Sequence, residues 1–125
     1  MIKLTNNQII NLYEILNTLD SKTNVPIVLG FGIIHNIKIL EPYYMSIMEM
    51  RERIIKENGV QIEDGHVQVP AKKIEEVNKQ LYSLLDIQNE VASLSLLNVE
   101  QMGEAFTELS LEVINALYPI SKLGS

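Results

Sequence analysis

Two histidines, no cysteine and a regularly spaced row of glutamates are the residues from which chemistry would have to be assembled in this chain. His35 lies inside an apolar run, where a partly buried, hydrogen-bonded imidazole is expected. His66 falls on the polar side of a hairpin, with Glu63 as its expected cross-strand partner. Neither histidine has a second metal ligand at helical spacing, so a zinc site is not supported. Without cysteine there is neither a disulfide framework nor a thiolate ligand set. The chain holds no Gly-x-Ser-x-Gly elbow, no phosphate-binding glycine loop and no His-Glu-x-x-His. Gly30-Phe31-Gly32 lacks the lysine or third glycine of a phosphate loop and reads as close helix packing or a pliable helix start. No nucleophile–base pair can be assembled, so neither an enzyme nor a bound cofactor is expected.

The charge pattern points instead to binding. The 125 residues carry a formal charge of −6, with a pI near 4.9. Non-specific nucleic-acid binding needs a dense positive field, so direct contact with nucleic acid is not expected. From Leu81 to Ser121 the chain has six acidic residues and no basic one. Glu100, Glu104, Glu108 and Glu112 recur every four residues and would line one side of a helix, although Gly103 and Ser110 argue against a single helix there. The row is either a solvated face or a negative patch steering onto a basic partner surface, where complementarity raises on-rate and specificity. Tyr43, Tyr44 and Met48, with Met45 and Met50 beside them, admit two readings as well. A Tyr/Met stripe at helical spacing packs a core, or it forms an adaptable contact surface.

These residues depend on the stretch from Pro26 to Gly59, which reads as one long helix through the middle of the domain. Proline suits a first helical position, because its missing N–H has no helical partner there. Ile33, Ile34, Ile37, Leu40, Tyr44, Ile47, Met48 and Ile55 follow at steps of three and four. Asn58-Gly59 closes the run, with glycine expected in a left-handed conformation. At about 1.5 Å per residue the helix would be roughly 50 Å long. Pro42 removes a helical hydrogen bond and Glu41 before it is biased away from the helical region. A kink at Leu40–Tyr43, or a break, is expected. Val25–Leu40 is strongly apolar, but His35, Asn36 and Lys38 interrupt it well short of the roughly 20 residues a membrane span needs. It reads as a buried helix, or as a hydrophobic contact surface.

Upstream, Thr5-Asn6-Asn7-Gln8 has the form of a capping box, with Leu4 and Ile9 at the staple positions. It opens a helix at about 6–19 with the stripe Ile9, Leu12, Tyr13, Leu16 and Leu19, after a frayed apolar start at Met1–Leu4. Downstream, Val60–Val69 reads as a hairpin with a two-residue Asp64-Gly65 turn of type I′. In that register Ile62 faces Val67 and Val60 faces Val69 on one apolar side. Pro70 begins a helix with stripe Ile74, Val77, Leu81, Leu84 and Leu85 that runs to about Ile87. The alternation through Ala92, Leu94 and Leu96 predicts a strand at Glu90–Leu97, placed third beside the hairpin. Short helices at Val99–Met102 and from Ser110 to Pro119 precede a loose tail, Ile120–Ser125. The expected fold is a single α+β domain over residues 1–125. It is mostly helical, with a long kinked central helix, an N-terminal helix, a β-hairpin plus a third antiparallel strand, and short C-terminal helices.

In the order of its pieces the chain resembles a family of small bacteriophage and prophage proteins of unknown function, found mainly in Firmicutes and their viruses. The resemblance rests on Lys3-Leu4-Thr5-Asn6-Asn7-Gln8-Ile9, on Val25-Pro26 opening a long helix that Arg51–Gly59 closes, and on Val69-Pro70 before Ile74–Leu85. Leu111–Ile120 also fits. Gly30-Phe31-Gly32 and Pro42 depart from the family pattern. The resemblance implies a viral origin and a non-enzymatic accessory role, and carries over no functional residues. The expected activity is stoichiometric binding of a host or viral protein, for example inhibition of a host defence or regulatory complex. The alternative is a structural or assembly component of the virion. No secretion leader is read at the start, and the expected location is the host-cell cytoplasm, or the virion under the alternative.

Overall fold

The computed structural model describes residues 2–20, 27–62, 65–97 and 117–120. Strand β1 (Ile2–Thr5) leads into helix α1 (Asn6–Asp20), and the long helix α2 (Ile27–Asn58) follows. A small hairpin, β2 (Val60–Gln61) and β3 (Val67–Gln68), precedes a 3-10 turn at Ala71–Lys73. Helix α3 (Ile74–Leu85), strand β4 (Gln88–Val91) and a 3-10 turn at Tyr118–Ile120 complete the order. The fold is α+β and mostly helical.

Helix α1 starts as its sequence dictates. The Thr5 backbone N–H donates to Gln8 Oε1 at 2.8 Å, and the Gln8 N–H donates to Thr5 Oγ1 at 3.1 Å. This reciprocal capping box satisfies two backbone donors that the first turn would otherwise leave open. The staple residues Leu4 and Ile9 are both fully buried. With Leu12, Leu16 and Leu19 they pack against Leu29, Ile33, Leu40 and Ile47 of α2, and the core is closed by Val91, Leu97, Leu117 and Ile120. Tyr13 and Tyr44 stack across the α1–α2 contact, with ring centroids 4.3 Å apart and planes 24° apart.

Helix α2 is continuous through Pro42 rather than broken there. The missing N–H deprives the carbonyl of Lys38 of its helical donor. Lys38 and Pro42 are both exposed, so the defect lies on the watered side of the helix. The end of α2 corrects the expectation for Gly59. Positive φ among the described residues occurs at Gly65 (76°) and Ser93 (68°), not at Gly59. Gly59 is instead a point of close approach. A Cβ there would run into Val67 Cγ1 and would stand 2.8 Å from the Ile55 carbonyl.

The hairpin register differs by one residue from the expected one. Val60 pairs with Gln68 and Gln61 with Val67, and the Ile62 N–H donates to the His66 carbonyl at 2.9 Å. The connection is therefore three residues, 63–65, with Gly65 supplying the positive φ at its last position. A one-residue slip moves every side chain to the opposite face. Val60 and Ile62 are accordingly exposed beside Gln68 and His66, while Val67 tucks against Gly59. Glu63, the expected partner of His66, lies outside the described residues.

The apolar start is not frayed. β1 pairs antiparallel with β4, Ile2 opposite Val91 and Thr5 opposite Gln88. The third strand therefore exists, but it joins the N-terminus and not the hairpin, and it ends at Val91 where Leu97 was expected. Ser93 turns the chain out of extended geometry, and the groups beyond it bond elsewhere. Leu97 is buried and Leu96 exposed, opposite to the expected alternation. Helix α3 stops at Leu85, two residues early, and its Ile74 is exposed. The expected helix at Val99–Met102 and the start of the one after Ser110 lie outside the described residues. The latter's end is seen as a 3-10 turn that includes Pro119.

Candidate partner-binding groove

The C-terminal end of α3, the start of α1 and strand β4 meet at two asparagines. Asn6 is buried. Its amide donates to the Leu84 carbonyl at 2.7 Å and its backbone N–H to the Ile87 carbonyl at 2.9 Å. The Asn89 amide donates to Asn6 Oδ1 at 2.7 Å and to the Leu4 carbonyl at 3.2 Å. This network fixes three chain segments against one another, and each bond leaves a polar group spent internally. Among the described residues, no buried side-chain nitrogen or oxygen lacks a partner.

Over that network the middle of α2 stands away from α3 and leaves a groove of about 390 Å³. Pro42, Tyr43, Ser46, Ile47 and Met50 of α2 form one wall, and Leu84 of α3 forms the other, with Asn6 and Asn89 at the end. A second depression of about 300 Å³ continues it, sharing Ile47 and Leu84 and adding Ile10, Leu81, Tyr82, Asn78, Asn7 and Arg51. Helix α3 sets both. Of its apolar stripe only Val77 is buried, and Leu81, Leu84 and Leu85 are half-covered. Half-covered apolar side chains beside a tyrosine–methionine wall suit the uptake of an apolar side chain from another polypeptide. The titratable side chains of the two depressions are Tyr43, Tyr82 and Arg51.

Of the residues singled out from sequence for partner binding, Tyr43, Tyr44 and Met48 are described, and they take different places on α2. Tyr43 lines the groove. Tyr44 is half-buried and stacks on Tyr13. Met48 is half-buried on α2 and lines neither depression. Glu100, Glu104, Glu108 and Glu112 lie outside the described residues. His35 is exposed rather than partly buried, and its Nε2 donates to the Ser93 carbonyl at 2.6 Å. Asn89 and Ser46 carry no signal in the sequence, since a groove depends on spacing between helices rather than on residue type. Among the described residues no three of His, Cys, Asp or Glu converge on a metal-sized site, and no helix is long and apolar enough to cross a membrane.

No protein-family model, curated protein or solved structure matches the chain.

Proposed function

We propose that the protein is a phage-encoded accessory protein of the host-cell cytoplasm that binds one host or viral protein stoichiometrically, in the manner of an inhibitor of a defence or regulatory complex. The groove between α2 and α3 is its binding site. One observation supports this most: the groove is lined by half-covered apolar side chains, while the amides of Asn6 and Asn89 at its end are engaged within the fold. A partner's apolar side chain can enter without breaking those bonds. The viral origin rests on the resemblance alone.

The test is affinity purification of the tagged protein from its host, beside a Met50→Glu variant. Met50 lies on the groove wall and is partly exposed, so the variant is expected to fold. One protein recovered in near-equal amount with the wild type, and at least roughly tenfold less with the variant, supports the reading. Equal recovery with both removes the groove. Recovery of virion proteins instead moves the structural alternative to first place.

A further inference from the structure

Helix α2 has two apolar faces, and the described residues cover one. Leu29, Ile33, Asn36, Leu40 and Ile47 point into the core. On the opposite side Phe31 is 72% exposed, Ile34 42% and Met45 60%, with Lys38 and Glu41 exposed between them and Met48 half-buried. Residues 31, 34, 38, 41, 45 and 48 alternate steps of three and four, the spacing of a seam between two paired helices. The seam would run roughly 26 Å along the helix.

We propose that this face pairs with the same face of a second copy, antiparallel, about a two-fold axis between Lys38 and Glu41. A two-fold interface must be complementary to itself, and the antiparallel register meets that condition along the seam. Lys38 falls opposite Glu41 of the second copy, Ile34 opposite Met45, and Phe31 opposite Met48. Every apolar residue meets an apolar one and each charge meets its opposite. In a parallel pair Lys38 would face Lys38 and Glu41 would face Glu41, which like-charge repulsion disfavours. The charges thus select the orientation, and the flanking apolar layers supply the contact. This face is separate from the groove wall formed by Tyr43, Ser46 and Met50, so the dimer and the groove reading are tested separately.

Light scattering on the eluting full-length chain, across a dilution series, is expected to give twice the 14.2 kDa chain mass. Lys38→Glu and Glu41→Lys each place like charges in the seam, and each weakens the dimer by roughly a hundredfold. Mixing the two variants restores it, because each then supplies the charge the other lacks, and the double variant dimerises with itself. The chain has no cysteine, so orientation is read directly. Ile34→Cys mixed with Met45→Cys forms a disulfide-linked dimer on mild oxidation, and neither does so alone. A single-chain mass at every concentration overturns the proposal. So does a dimer indifferent to both charge reversals, or Ile34→Cys cross-linking to itself.

Discussion

Asn36 and Ser95 exchange two hydrogen bonds: the Asn36 amide donates to the Ser95 carbonyl at 2.9 Å, and the Ser95 N–H donates to Asn36 Oδ1 at 2.7 Å. A primary amide has the donor and acceptor of a peptide group, so Asn36 takes the place of a neighbouring strand beside residue 95. Its side chain is fully buried, in the core-facing row of α2. The pair fastens the chain that follows β4 to the long helix.

Replacing Asn36 with alanine leaves a donor and an acceptor of Ser95 without partners in a half-buried place. A loss of about 2–3 kcal/mol is expected, read as a lower urea midpoint at unchanged slope. Asn36→Leu restores the volume but not the bonds, and is expected to recover less than half of that loss.

Gly59→Ala tests the close approach at the end of α2. The new methyl group meets Val67 Cγ1 and the Ile55 carbonyl, and overpacking of this kind costs about 1–3 kcal/mol. Val67→Ala removes the nearest of the obstacles and leaves the carbonyls of Ile55 and Gln68, at 2.8 and 3.3 Å. The double variant is therefore expected to be more stable than the sum of the single losses.

Gly30 and Gly32 separate in the opposite direction. A Cβ at Gly30 meets no atom within 4 Å, whereas one at Gly32 stands 2.9 Å from Leu97 Cδ2. Gly30→Ala is expected to stabilise the protein by about 0.5–1 kcal/mol through helix propensity. Gly32→Ala is expected to bring no net gain, because buried Leu97 must move. Thermal unfolding of the two variants side by side distinguishes them.

Thr5→Ala and Gln8→Ala each open the capping box, at about 1 kcal/mol. Because the two bonds are reciprocal, the double variant is expected to lose less than the two single losses combined. Additive losses in denaturant titrations would show that the bonds act independently.

What was legible in the sequence was local. The capping box, the stripe of α1 and the extent of α2 depend on residues within a few positions of one another, and each formed as its spacing predicts. The hairpin was legible as a hairpin, but Asp64-Gly65 suited both a two-residue and a three-residue connection. The observed register is the one in which Ile62 bonds His66 and Val67 lies against Gly59. β1 was not legible because a four-residue segment has no period to read, and its partner lies more than eighty positions away. The groove was half legible: Tyr43 and Met50 drew attention by type, whereas Asn6 and Asn89 matter through a contact across the whole chain.

The pairing of β1 with β4 also sets an order of events during synthesis. Thr5 and its partner Gln88 are 83 positions apart, so at roughly 5–20 residues per second the first strand waits about 4–17 seconds for the second to be made. Through that interval Ile2–Thr5 leaves the ribosome as an unpaired strand edge, while the turn that Thr5 and Gln8 stabilise can already form behind it. Anything that slows translation between α1 and β4 lengthens the exposure of that edge to other nascent chains. Closure of β1 onto β4 is thus held back until residue 91 has been made, and the core is completed later still, when Leu117 and Ile120 arrive.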